Sequence, residues 1–141
     1  MLRKRVFISF DYDNDRRYRY LLNAWANNSR SDIEFDDLTP GEIQSDRVDR
    51  IKSVLRQKIN DSTHTLVVIG EYANSAHRHS RLIGTRNWQW WEIEQSIEAG
   101  NRLIAVKLDN SNPSPEPILR RKASWARTFK TDSILNAIDH A

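Results

Sequence analysis

Three tryptophans and one glutamate fall within five consecutive residues, in the segment WQWWE at positions 88–92. Trp88 and Glu92 are four residues apart, so they share one face if the segment is helical. The amino-terminal end of a helix favours the ionised form of a carboxylate. An ionised carboxylate beside an aromatic wall suits stabilisation of a cationic sugar transition state. The alternative from chemistry alone is a structural helix glutamate next to an interfacial tryptophan.

The apolar spacing around this motif predicts which face of the helix is buried. Trp90, Ile93 and Ile97 recur at helical spacing, so this stripe is predicted to pack into the core. Trp88 and Glu92 lie off that stripe. We therefore expect Glu92 to lie at the surface, where its substitution changes folding stability by less than about 0.5 kcal/mol.

Several other chemistries are excluded by residues that the chain lacks. It has no cysteine, which excludes disulfides, thiol nucleophiles and thiolate metal sites. His77 and His79 have no third ligand nearby, so no metal is expected. The third predicted strand ends in Ile-Gly-Glu at 69–71, without the acceptor aspartate of a phospho-receiver. Dinucleotide-binding and P-loop motifs need closely spaced glycines, whereas the glycines here are widely separated, at 41, 70, 84 and 100.

Alternating strand and helix patterns must position the candidate residues. Apolar, β-favouring runs predict strands at 5–10, 32–35, 63–69, 103–108 and near 126–129. Stripes at helical spacing predict helices around 18–25, 48–59, 90–97 and 134–138. Gly100 is predicted to end the third helix as a left-handed cap. The segment 70–86 is polar without a clear period, and 109–117 is predicted to be a loop.

This alternation predicts a flavodoxin-like α/β fold with three layers. A central parallel sheet of about five strands, in the order 2-1-3-4-5, would carry helices on both faces. The 141 residues correspond to one domain. Such sheets bind ligands at the carboxyl ends of their strands, near the point where the strand order reverses. Here that edge would carry residues 9–13, 36–41 and 70–91.

Composition and charge indicate the compartment and the partners. The 22 basic and 19 acidic residues are mixed along the chain, and no segment combines a basic patch with stacking aromatics. We therefore expect no nucleic-acid partner. No apolar stretch approaches the roughly 20 residues of a membrane span, and the amino-terminal apolar run is too short for a signal peptide. The sequence predicts a cytoplasmic protein without membrane association.

Several short segments, taken in order, resemble the TIR superfamily. Residues 6–10 (VFISF) resemble its first box, and residues 37–41 (DLTPG) resemble its second. Asp61-Ser62 and Ser75 resemble serines found around the third strand, and WxxxE at 88–92 resembles the motif that carries the glutamate of TIR NAD-cleaving enzymes. The FISFD start and the WEIE segment at 91–94 are similar to the TIR-like ThsB proteins of bacterial Thoeris anti-phage defence. The resemblance covers about residues 4–109.

This resemblance implies cleavage of the nicotinamide–ribose bond of NAD, with Glu92 as the catalytic carboxylate. NAD would be a substrate, and no cofactor or metal would be needed. The product would be an ADP-ribose-derived signal, cyclic in form, that activates a separate effector protein. A phage-derived trigger and a homo-oligomer are the further partners implied. The substrate-binding residues implied are Ser9, Phe10, Asp11, Asp37 and Trp88.

Two other functions compete with this one. A non-catalytic TIR interaction module would only oligomerise, and it has no need of the carboxylate at Glu92. An enzyme resembling nucleoside deoxyribosyltransferases would use the carboxylate as a covalent nucleophile on the sugar.

The chain also departs from common TIR domains in one segment. Residues 77–87 separate Ser75 from Trp88, where most TIR domains have almost no residues.

Overall fold

Strands and helices alternate through the part of the chain that the computed structural model describes, which is residues 3–11, 32–36, 43 and 47–141. The strands are β1 (Lys4–Ser9), β2 (Ile33–Asp36), β3 (His64–Ile69), β4 (Arg102–Lys107) and β5 (Ser124–Trp125). The helices are α1 (Val48–Asn60), α2 (Ser80–Ile83), α3 (Trp88–Ala99), α4 (Glu116–Leu119) and α5 (Thr131–His140). The predicted helix around 18–25 and the DLTPG segment lie outside the described residues.

The strands form one parallel sheet in the order β2-β1-β3-β4-β5. Strand β1 is an inner strand, since Phe7 aligns with Asp36 of β2 on one side and with Thr65 of β3 on the other. The order confirms the flavodoxin-like prediction. Strands are added to one side of β1 and then, from β3 onward, to its other side, so the strand order reverses between β1 and β3. A ligand site is therefore expected at the carboxyl ends of these two strands.

Alternation of side chains along β1 separates two layers of packing. Val6 and Ile8 lie in the apolar cluster that includes Ile134 and Ile138 of α5. Phe7, between them, lies in a second cluster that includes Leu55 of α1. Helices therefore cover both faces of the sheet, with α5 on one face and α1 and α3 on the other. Each fully buried aliphatic side chain in these clusters contributes about 1.5–3 kcal/mol.

The first four strands begin and end within one residue of their predicted limits, but the last strand does not. The prediction placed it near 126–129, whereas β5 covers Ser124 and Trp125 only. The Ser124 hydroxyl donates to the carbonyl of Ala137, 2.7 Å away, which ties this strand to α5. Ala126 then donates one more hydrogen bond to Ala105 before the chain leaves the sheet. A strand of two residues is too short to show the alternation of apolar and polar residues by which strands are located in a sequence.

Two short helices occupy segments that were predicted to be irregular. Helix α2 lies within 70–86 and ends at Gly84, whose φ of 89° is left-handed. Only Ile83 of this helix is buried, so its sequence shows no period. Helix α4 begins at Glu116, inside the predicted loop. None of the helices in the described part of the chain is both long enough and apolar enough to cross a bilayer.

Candidate active site at the carboxyl end of β1

Ser9 and Glu92 meet although 83 residues separate them in the chain. Ser9 is the last residue of β1, and Glu92 lies in the second turn of α3. The Ser9 hydroxyl donates to Glu92 Oε1 over 2.7 Å. Ser9 is fully buried and Glu92 is 2% exposed. Two of the predicted site residues thus form one buried hydrogen bond at the expected edge of the sheet.

The surroundings of Glu92 change its protonation. Burial raises the pKa of Glu92 from an ordinary 4.5 to about 8, and the Ser9 hydroxyl lowers it by a smaller amount. The carboxyl is therefore mostly neutral at pH 7 in this conformation. The prediction of a surface-exposed, ionised carboxylate was wrong here. Removing a charge from water costs more free energy than a hydrogen bond from one hydroxyl and a nearby helix terminus supply.

The buried face of α3 extends beyond the predicted stripe, of which Ile93 is fully buried and Ile97 packs against the same apolar cluster. Gln89, Glu92, Ile93 and Ser96 face the sheet at helical spacing, and three of these four residues are polar. Trp90, which was predicted to lie in the core, is only half-buried. Apolar periodicity correctly selected Ile93 and Ile97, but it could not find the polar side chains that are buried beside them.

Polar side chains of that face are hydrogen-bonded to strand ends. The Gln89 amide nitrogen donates to the carbonyls of Ser9 (3.1 Å) and Val68 (2.8 Å). Ser96 donates to the Glu92 carbonyl and accepts from the Thr65 hydroxyl. These bonds offset part of the cost of burying polar groups. Sequence reasoning missed Gln89, although its position three residues before Glu92 places it on the same helical face.

The tryptophans stabilise the start of α3 from the side. Trp91 is 6% exposed and packs edge-on against Trp88, with ring centroids 5.7 Å apart. The Arg56 guanidinium lies 5.6 Å from the Trp91 ring, and the Lys52 ammonium lies 6.0 Å from it. Both cations come from α1, so cation–π contacts add to the apolar packing between α1 and α3.

The segment 77–87 is anchored to the start of α3. Asn87 caps the helix, since its side-chain oxygen accepts from the Trp90 amide over 2.9 Å. Its side-chain nitrogen donates to the carbonyls of Ala73 and Ser75, over 2.8 and 2.9 Å. The Trp90 indole N–H donates to the Asn74 side chain, in the loop that precedes this segment. Trp90 is therefore directed toward that loop and not into the core. The helix ends as predicted, at Gly100 with a left-handed φ of 79°.

The remaining predicted site residues are placed differently from Ser9. Phe10 is buried in the cluster on the α5 side, so its ring faces away from Glu92. Asp11 follows it and is half-buried. Trp88 occupies the first turn of α3 beside Trp91. Asp37 lies outside the described residues. The structure brings Ser9 and Glu92 together and directs Phe10 to the other face of the sheet.

Comparison with known sequences gives two matches. Residues 7–113 match the family model described as Thoeris protein ThsB, TIR-like domain. A protein of Bacillus cereus (strain MSX-D12), named "Putative cyclic ADP-D-ribose synthase ThsB1", is 28% identical over 111 residues. The alignment covers 75% of this chain and 52% of that protein, so the chain spans about half the length of this relative.

Solved structures with a similar fold include two proteins of different kinds. A prokaryotic SEFIR domain has a TM-score of 0.59 at 15% identity, over 97% of this chain and 96% of its own. A 2-deoxyribosyltransferase from Bacillus psychrosaccharolyticus has a TM-score of 0.57 at 11% identity, over 89% and 87% of the two chains. At these identities the similarity concerns the fold alone.

Proposed function

Since the chain belongs to the Thoeris ThsB family through its TIR-like domain, we propose that it cleaves the nicotinamide–ribose bond of NAD. The observation that supports this most directly is the buried Ser9–Glu92 hydrogen bond. It places the glutamate of the WxxxE motif at the carboxyl end of β1, next to the point where the strand order reverses. NAD is the substrate in this proposal, and the chain's own residues supply the chemistry.

The reaction breaks the bond between the ribose C1′ carbon and the nicotinamide nitrogen. Both bonding electrons move to that nitrogen, which loses its positive charge as nicotinamide leaves. The ribosyl carbon then carries the positive charge, and an ionised Glu92 stabilises it. The C1′ carbon then bonds to a nucleophilic atom of the ADP-ribosyl group, which gives a cyclic product, or to water, which gives ADP-ribose. A proton carried by the nucleophile passes to solvent. The name of the B. cereus relative supports a cyclic ADP-ribose product.

Other residues of the site would position the substrate. Ser9 holds the Glu92 carboxyl in place, and the Trp88 ring supplies an apolar wall at the start of α3. Asp11 and Asp37 would line the mouth of the site, after β1 and β2 respectively. Because the Phe10 ring packs on the α5 side, we assign Phe10 to anchoring the turn after β1.

The burial of Glu92 implies a step before catalysis. A carboxyl that is 2% exposed and neutral at pH 7 neither reaches a substrate nor stabilises a cation. Opening of the site would admit NAD and water together, and water would return the pKa of Glu92 toward its ordinary range. We assign this opening to an infection-derived trigger that acts in the cytoplasm, with self-association of the chain as the means. The product would then act on a separate effector protein.

The test compares NAD turnover by protein isolated from infected and uninfected cells, with products identified by mass spectrometry. The activated wild type is expected to release nicotinamide and an ADP-ribose-derived product. Glu92→Gln keeps the shape but loses the charge, so turnover should fall about a hundredfold or more. Glu98→Gln, at an exposed position on the same helix, is the matched control. Equal turnover by Glu92→Gln and wild type would contradict the role of Glu92, whereas no turnover by the activated wild type would contradict NAD cleavage and favour a non-catalytic interaction module.

A further inference from the structure

Gln89 carries a buried hydrogen-bond acceptor that has no partner in the described part of the chain. The side chain is 5% exposed, and its amide nitrogen donates to the carbonyls of Ser9 and Val68. Turning the amide over would face its oxygen toward two carbonyl oxygens, so the observed orientation is fixed by these two bonds. Gln89 Oε1 is thereby directed away from them, and it is left unpaired.

An unpaired acceptor at this place is unusual for a folded protein, because most buried polar atoms have a partner. The polar groups around it are paired: Ser9 Oγ with Glu92, and Ser96 Oγ with Thr65. The only other unpaired buried side-chain atom among the described residues, Glu94 Oε1, belongs to a carboxylate that interacts with Arg120. Gln89 is therefore the exception within the site itself.

The position of this acceptor connects it to the proposed reaction. Gln89 lies three residues before Glu92 on the same buried face of α3. Both side chains reach Ser9, Glu92 through the hydroxyl and Gln89 through the carbonyl. Both side chains lie between α3 and the carboxyl end of β1, so an opening there would expose the Glu92 carboxyl and the Gln89 side chain together.

We propose that Gln89 is a substrate-binding residue whose side-chain oxygen accepts a hydrogen bond from the nicotinamide-riboside half of NAD. This inference rests on the proposed function. The donor is either a ribose hydroxyl or the amino group of the nicotinamide carboxamide, since both present a hydrogen to a neutral acceptor. Gln89 would then select substrates that carry a donor at this point, because an analogue without one leaves the acceptor unpaired.

The test is a cycle that combines a change in the protein with a change in the substrate. Activated wild type and Gln89→Met are each assayed for kcat/KM with NAD and with analogues that lack one donor. One analogue replaces the carboxamide amino group with methyl, and two others lack the 2′- or 3′-hydroxyl of the nicotinamide ribose. Differences in intrinsic reactivity between analogues cancel when the two proteins are compared.

For one analogue, the loss of kcat/KM relative to NAD is expected to be about 10- to 100-fold larger in wild type than in Gln89→Met. The identity of that analogue shows which group of the substrate is the donor. Equal losses of kcat/KM in both proteins for every analogue would overturn the role of Gln89.

If Gln89→Met does not fold, as judged by thermal melting, competition binding to wild type decides. The donor-lacking analogue should then bind at least about tenfold more weakly than NAD, and equal binding of all analogues overturns the inference. Failure of activated wild type to cleave NAD would instead refute the proposed function, and this inference with it.

Discussion

The charge of Glu92 depends on its exposure to water. Burial raises the pKa of this carboxyl to about 8, and the Ser9 hydroxyl, its hydrogen-bond donor, lowers that pKa in part. A conformational change that admits water removes the larger of these two effects. Ionisation and accessibility therefore change together, and a residue that must be both charged and accessible is inactive on both counts in the closed conformation.

The raised pKa predicts how folding stability varies with pH. The unfolded chain loses the Glu92 proton near pH 4.5, whereas the folded chain keeps it to about pH 8. The neutral carboxyl thus contributes stability that is fully present below pH 4.5 and is lost as pH rises through about 8. Between these values the contribution falls by up to about 1.4 kcal/mol per pH unit. In urea titrations, Glu92→Gln should gain stability relative to wild type from pH 5 to 8, and a constant difference over this range would refute the assignment.

Removing the Ser9 hydroxyl should shift the pH dependence of activity. Ser9 donates to the charged form of Glu92, so Ser9→Ala should raise the pKa of that carboxyl further. Because kcat/KM reports the ionisation of the free protein, in which the site is closed, we expect kcat/KM for NAD at pH 7 to fall about tenfold, with less loss at pH 9, where high pH restores the charge. Ser9→Thr keeps the hydroxyl and serves as the control. Parallel pH profiles for wild type and Ser9→Ala would contradict this role.

Residue type and spacing singled out Trp88 and Glu92, and the family resemblance added Ser9, but neither described the surroundings of these residues. The spacing of Trp88 and Glu92 predicted a shared helix, and α3 confirms it. The burial of Glu92 was missed, since a polar stripe carries no hydrophobic period. The expectation that Glu92 lies at the surface, on which the predicted small effect of its substitution on folding rests, was wrong for the same reason.

At the scale of elements, helix α3 is fixed at its start by one side chain. Asn87 caps the helix and also holds the carbonyls of Ala73 and Ser75. Asn87→Ala should lower the free energy of unfolding by about 2 kcal/mol, because a cap contributes about 1 kcal/mol and two further bonds are lost. Urea denaturation measures this change. Asn87→Ser keeps a capping oxygen without facing an acceptor toward the two carbonyls, so it should lose less stability than Asn87→Ala. An equal loss in both variants would show that the effect does not come from the cap.

How well each element was predicted depended on its length and burial. The inner strands β1 and β3 are continuous apolar runs, and both were placed within one residue of their limits. Their apolar character on both faces also predicted their inner positions in the sheet. The short elements α2, α4 and β5 hold four residues or fewer, so their limits are set by caps and cross-contacts that a sequence does not display.

At the scale of the whole molecule, the closed site predicts a quiescent protein. The purified, unactivated chain should turn NAD over far more slowly than once per second, because its candidate catalytic carboxyl is neutral and buried. Nicotinamide release followed over hours measures this rate. Protein isolated after infection is the positive comparison. Turnover of several per second by the unactivated chain would mean that burial of Glu92 does not limit the reaction.

The edge-on pair of Trp88 and Trp91 gives the molecule an optical signal of its own. Trp91 lies beside Glu92 in the chain and packs under the two cations of α1. Indole fluorescence shifts to longer wavelength when water reaches the ring. Movement at the start of α3 would therefore alter the emission spectrum, and replacing the exposed Trp125 with phenylalanine would remove a constant background. Opening of the site thus becomes visible in real time without an attached dye and without any turnover of NAD.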